Sequence, residues 1–234
     1  MEKSVTHASS LRVAALGALL LGAAAACANN QHPGPGPSGT GPSGAAPTTD
    51  APLNTSQLVP PGFGTLRQDD IAVRMEMPGV QVRLIPLDET VIRLLSPDSY
   101  RALRDLQESQ RTAIANAARR NGLQQYRIWY VSYYGLAPEV RFSPNEVTLT
   151  NNGRDFRPLD VLPITAGFGE NRLQQRQTQS ALYLFDGALD ASQPVVVHVE
   201  SAVDANTWSA ALQRIERERA LVRSRASSAA AQRP

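Results

Sequence analysis

The sequence predicts a mainly β domain, an antiparallel sandwich with one inserted helix and one C-terminal helix, behind a long polar lead. Three observations point there. Apolar and polar residues alternate with a period of two over many short segments. Turn-forming pairs such as Pro78-Gly79, Asn152-Gly153 and Asp186-Gly187 separate those segments. Only residues 97–120 and 205–223 carry apolar side chains at helical spacing.

Residues 1–26 have the shape of an export signal, with Lys3 and Arg12 against Glu2 and then an unbroken run of Val, Ala, Leu and Gly over residues 13–26. A run of 14 residues falls short of the ~20 that a helix needs to cross the hydrocarbon core, so removal on export is expected. Residues 27–61 are rich in Pro, Gly, Ser, Thr, Ala and Asn, with the near-repeat Gly36-Pro37-Ser38-Gly39-Thr40 and Gly41-Pro42-Ser43-Gly44-Ala45. Such a segment offers too little apolar surface for a core and lacks collagen's strict glycine period. It is expected to be a disordered tether spanning on the order of 30 Å or more.

The folded domain is expected over residues 62–224, long enough to bury about two-thirds of its unfolded surface. Ile71, Val73, Met75 and Met77 alternate with polar neighbours, Pro78-Gly79 turns the chain, and Val80, Val82 and Leu84 continue as a hairpin partner. Residues 91–95 read as a third strand. Ser96-Pro97-Asp98 starts a helix by N-cap, N1 proline and an acid at the positive dipole end; Asn121-Gly122 ends it. Tyr100, Leu103, Leu106, Ile114 and Ala117 mark its apolar face. Further strands are expected at residues 126–134, 140–142, 146–150, 156–164, 180–185 and 195–199. A last helix over 205–223, capped by Asp204 or Asn206, presents Trp208, Leu212, Ile215 and Val222, and residues 225–234 should form a disordered tail.

Two resemblances add to this. The stretch Leu21-Gly22-Ala23-Ala24-Ala25-Ala26-Cys27 resembles the lipobox of bacterial lipoproteins, although the family usually has Leu where this chain has Ala24. The resemblance implies a diacylglycerol thioether on Cys27, which becomes the new N-terminus and anchors the chain stably through several acyl chains. Ala28 then implies outer-membrane sorting if the organism has two membranes. Ordinary cleavage at an Ala-x-Ala site is the alternative. The layout from Phe142-Ser143-Pro144 through Val147-Thr148-Leu149 and Gly153 to Ala181-Leu182-Tyr183-Leu184-Phe185-Asp186 is similar to immunoglobulin-like sandwich domains of secreted bacterial proteins. It covers about a quarter of the chain and implies a fold but no activity.

Composition narrows the partners. Without Lys3, Arg12 and Glu2 the mature chain keeps 21 of 23 basic and 20 of 21 acidic side chains, and a near-neutral domain lacks the concentrated positive field that nucleic acid requires. Cys27 is the only cysteine, so the domain has no disulfide and depends on its core. The tether following Cys27 cannot bury it, so an inert core thiol is excluded on local grounds.

Motifs for catalysis are sparse. His198 is the only histidine of the folded region and shares a strand face with Val196 and Glu200, so a surface role is expected and neither a metal site nor a serine-hydrolase constellation is. Asp186 with Asp190, or Asp155 with Asp160, are carboxylate pairs of the kind glycosidases use, but they sit at expected turns where aspartate serves the backbone. Gly167-Phe168-Gly169 lacks the rest of any phosphate-cradling loop.

Residues 126–134 are apolar or aromatic on both faces, which a one-sided sheet does not need. Either the strand is central, with one face in the core and the other under the helix at 97–120, or Tyr126, Tyr130 and Tyr134 form an exposed ladder for a sugar or a protein. The helix at 205–223 either packs on the domain or uses Arg214, Arg217, Arg219, Arg223 and Arg225 to touch anionic lipid or an acidic partner.

The expected function is a membrane-anchored, non-enzymatic binding or scaffolding module of the cell envelope, whose partner is an envelope protein or glycan and which uses no cofactor and no metal. The alternatives are an envelope glycan hydrolase working through paired carboxylates, and a secreted carbohydrate-binding protein should Cys27 not be acylated.

Overall fold

The computed structural model describes residues 55–232, within the second of the two units into which the chain divides, Gly44–Pro234. The expected signal, Cys27 and most of the expected tether lie outside the described residues.

The first hairpin follows from alternation and one turn. β1 (Val73–Met77) and β2 (Val80–Pro86) pair antiparallel from Met77↔Val80 to Val73↔Leu84 across Pro78-Gly79, where Gly79 has φ +77°. Three helices follow, α1 (Glu89–Ile92), α2 (Pro97–Ser109) and α3 (Arg111–Arg120). The long strand β3 (Tyr126–Gly135) then pairs with β2 on one side and with β9 (Thr178–Asp186) on the other. Between them lie β4 (Val140–Arg141), β5 (Val147–Asn151), β6 (Arg154–Phe156), β7 (Asp160–Pro163) and β8 (Arg172–Leu173). The chain ends with β10 (Val195–Val199), β11 (Ala202–Asp204) and α4 (Thr207–Ala231).

Among the described residues every strand pair is antiparallel. One sheet runs β1-β2-β3-β9-β7, a second runs β11-β10-β5-β6, and β4-β8 is a small ribbon. The β5–β6 hairpin closes through Asn152 at φ +52° and Gly153 at φ +74°, the two-residue turn whose twist suits paired strands.

The two sheets share one core. Trp129, Val131 and Tyr133 of β3 point inward with Val82, Leu84, Ala181, Tyr183 and Phe185 of their neighbours, and Leu149, Val195 and Val197 of the second sheet belong to the same hydrophobic cluster. Trp208 of α4 packs 5.6 Å from Trp129. Its indole N–H donates to the carbonyls of Ala191 (3.2 Å) and Gln193 (3.1 Å), so the buried ring carries no unmet polar group. The other face of the first sheet is partly roofed by α3, which lies against β7 and β9.

Several expectations change. Residues 91–95 are not a strand: Asp88 accepts from the Thr90 N–H at 2.8 Å and caps α1, and that local hydrogen bond outweighs the strand preference of Val91 and Ile92. The helix at 97–120 is two helices, broken at Gln110, whose φ of −100° and ψ of 4° leave the helical region. Ser96 is the N-cap residue, but its hydroxyl pairs with Ser99 at 3.0 Å and caps no N–H. Residues 156–164 divide at Pro158, which has no N–H for a ladder. The domain begins before residue 62, since Val59 is buried in the core. The C-terminal helix continues past 223 to Ala231 instead of giving way to a disordered tail at 225, in keeping with the helix preference of Ala226 and Ala229–Ala231. Among the described residues no helix is long and apolar enough to cross a membrane.

Candidate functional site

The aromatic strand is central. Tyr126 is 3 % exposed, and Tyr130 and Tyr134 are half-buried. Tyr130 lies between Ile85 and Leu182 in the neighbouring strands and packs against the core. The three tyrosines therefore form no fully exposed ladder: Tyr126 belongs to the core, Tyr130 packs against it and Tyr134 is half-buried.

The other sequence candidates are engaged in local structure. His198 Nε2 lies 3.2 Å from the Thr150 hydroxyl, which itself donates to Asp155 at 2.6 Å. The hydroxyl proton is thus spent on Asp155, and the three side chains tie β10, β5 and β6 together. Asp160 accepts from Arg120 at 2.7 Å. Asp186 accepts from the Ala188 N–H, and Asp190 from the Ser192 N–H and hydroxyl, so both hold turns. Gly167-Phe168-Gly169 opens a short 3-10 turn in which Phe168 is buried beside Phe142 and Tyr133. Among the described residues no group of three His, Cys, Asp or Glu side chains is placed to hold a metal ion.

The arginines of α4 turn inward. Arg214 donates to the Asp70 carbonyl, Arg219 to that of Gln57 at 2.7 Å, Arg223 to that of Ser56 at 2.6 Å and Arg225 to that of Phe63 at 2.8 Å. Glu218, 5 % exposed, accepts from Arg225 and from both the N–H and the hydroxyl of Thr65. Burial pulls the Glu218 carboxyl upward, but the hydrogen bonds from Arg225 and Thr65 prevail and hold it below its ordinary value. Of the two readings of this helix, packing on the domain describes most of its basic face, which is largely a clasp on residues 56–65, where the tether joins the domain; Arg217 and Arg223 are exposed, and Arg223 still reaches the Ser56 carbonyl.

That clasp shapes a groove. Gly64 runs so close to the Leu94 and Leu95 carbonyls that any Cβ there would overlap them, and the contact is stitched by the Leu66 N–H to Leu94 and the Ser96 N–H to Leu66. Just before it, Gly62 at φ +95° turns the chain outward. The turn at Pro61 and Gly62 faces Pro97, Tyr100, Arg101 and Arg104 of α2 across an open space of about 350 Å³.

Beneath lies a charged cluster that sequence reasoning missed. Glu89 is 7 % exposed; its Oε2 accepts from Arg93 at 2.5 Å and from the Tyr100 hydroxyl at 3.4 Å. Its Oε1 is 2.9 Å from Arg104, an ion pair without hydrogen-bond geometry. Burial and the neighbouring Glu89 raise the Tyr100 phenol above its ordinary value, so it is neutral at physiological pH. Arg101 reaches only Asp98, at 3.7 Å, with both side chains in solvent. Among the described residues the guanidinium N–H groups of Arg101 and Arg104 enter no hydrogen bond, and they flank an aromatic ring and two proline faces. The signal for this cluster was Asp88-Glu89-Thr90, a helix start hidden by the β-branched residues behind it.

In comparisons with known proteins, no family model, no curated protein and no solved structure matches this chain.

Proposed function

We propose that this chain is an exported lipoprotein, anchored at the outer face of a membrane through acylated Cys27, whose β domain is a non-enzymatic binding module for a component of the cell envelope. The observation that carries the reading is a contrast in how polar side chains are used. His198, Asp155, Asp160, Asp186 and Asp190 are each engaged in hydrogen bonds that hold strands or turns. Arg101 and Arg104 are not, and they stand with Tyr100 on the wall of a groove. Spare donors beside an aromatic face suit recognition, whereas general acid–base work needs a carboxylate or imidazole that is free to move a proton. The position of Cys27, after four alanines and before a segment too polar to bury it, supports the anchor.

The test has two arms. Cells fed an alkyne analogue of palmitate should label the wild-type chain and leave Cys27→Ser unlabelled, with the variant moving from the membrane to the soluble fraction. Envelope glycan fragments incubated with the purified protein should be recovered unchanged in mass. Label on Cys27→Ser, or cleaved fragments whose appearance depends on Asp186 or Asp190, would contradict the reading.

A further inference from the structure

We infer that the groove between the tether root and α2 binds an acidic sugar, a pyranose bearing a carboxylate or phosphate. Arg101 and Arg104 take the oxyanion, and Tyr100, Pro61 and Pro97 lie against the ring. The inference rests on reading the domain as a binding module and adds the chemical class of what it binds.

Charge is the first argument. Three cations, Arg93, Arg101 and Arg104, stand against two anions, Glu89 and Asp98, and Asp98 is almost fully in solvent. Glu89 is shared between Arg93 and Arg104, so the cluster around it carries one positive charge in excess. Side-chain exposures of 28 % for Arg93 and 43 % for Arg104 leave that excess facing solvent, where an oxyanion in the groove would meet it directly. A guanidinium meets a carboxylate or phosphate with two parallel N–H donors, and Arg104 and Arg101 both have donors to spare.

Shape is the second. A volume of about 350 Å³ lies within the range of ligand pockets. One wall is helix and the other is a turn, so the groove presents no strand edge on which an extended peptide would gain backbone hydrogen bonds. Flat apolar faces with charged donors at one side match a sugar ring with an acidic substituent. The turn wall is also fixed in advance: Arg225 holds Phe63, Arg93 reaches the Val59 carbonyl at 3.4 Å, and Gly64 is seated on residues 94–95. A ligand therefore has little chain to order on arrival.

The experiment is titration calorimetry on the full mature chain in detergent micelles with three probes: digalacturonate, glucose 6-phosphate and the neutral disaccharide cellobiose. At least one acidic probe should bind at a single saturable site about tenfold or more tightly than cellobiose, weakening as salt is raised; the stronger of the two identifies the oxyanion. Arg101→Glu should lower that affinity about tenfold or more while keeping the wild-type melting temperature, because the side chain is 71 % exposed. Arg217→Glu, the same charge change on the exposed side of α4, should leave binding as it was. Acidic probes no tighter than cellobiose, undiminished binding by Arg101→Glu, or a polyglutamate peptide that binds while the sugars do not would each overturn the inference. Acylation of Cys27 is read by mass on the same preparation, so a failure of sugar binding on an acylated chain is distinct from a failure of the anchor.

Discussion

Tyr133 and Tyr183 show how much of this core depends on single polar atoms. Their hydroxyls meet at 2.9 Å in the interior, where burial pushes both well above the ordinary phenol value, and the Tyr133 ring stacks on Phe142 at 4.3 Å. One hydroxyl donates and the other accepts, so each has a partner in the interior. Tyr133→Phe should therefore cost about 1–3 kcal/mol, because it leaves the Tyr183 hydroxyl buried without its partner, whereas Tyr133→Phe with Tyr183→Phe should recover much of the loss. Urea unfolding of Tyr133→Phe, Tyr183→Phe and the double variant checks this; a double variant whose loss is the sum of the singles would contradict it. At this scale the sequence was a partial guide. Alternation separates Tyr133 from Tyr126, Tyr130 and Tyr134, but nothing in spacing could pair it with Tyr183, fifty residues away. Alternation likewise grouped Tyr126, Tyr130 and Tyr134 correctly on one face, while their burial depended on what the rest of the chain laid over that face.

At the scale of elements, hairpins were legible because their turns are encoded locally, as at Gly79 and at Asn152-Gly153. α1 and the break between α2 and α3 were hidden, since a cap of one aspartate and a single glutamine leaving the helical region are weak signals beside the hydrophobic pattern. The α4 clasp was not legible at all: the arginines were visible, but their partners are backbone carbonyls of residues 56–63, which carry no side-chain signature. Glu218 gives this clasp a pH dependence with a definite sign. Its folded carboxyl is held below the ordinary 4.5, so its stabilisation is present in full above that value and is lost as pH falls through the lowered one. Glu218→Gln should thus melt below the wild type at neutral pH, and the gap should narrow through the acid range. A gap constant from neutral to strongly acidic pH would show that the carboxylate charge is not what holds Thr65 and Arg225.

For the whole molecule, the fold class and the candidate site were legible to different degrees. Two antiparallel sheets over a shared core follow from periodicity and turns. The groove joins residues from the end of the tether and from α2, segments that the sequence had divided between a disordered lead and a helix, with Glu89 of α1 beneath them. Its placement matters because one wall is the stretch of chain that leads back toward Cys27, the proposed point of attachment. That account depends on Cys27 above all. Intact-mass spectrometry of the protein purified from native membranes is its most direct test. The account predicts a chain that begins at Cys27 and carries a diacylglycerol thioether; an unmodified N-terminus, or one generated at another residue, would contradict it.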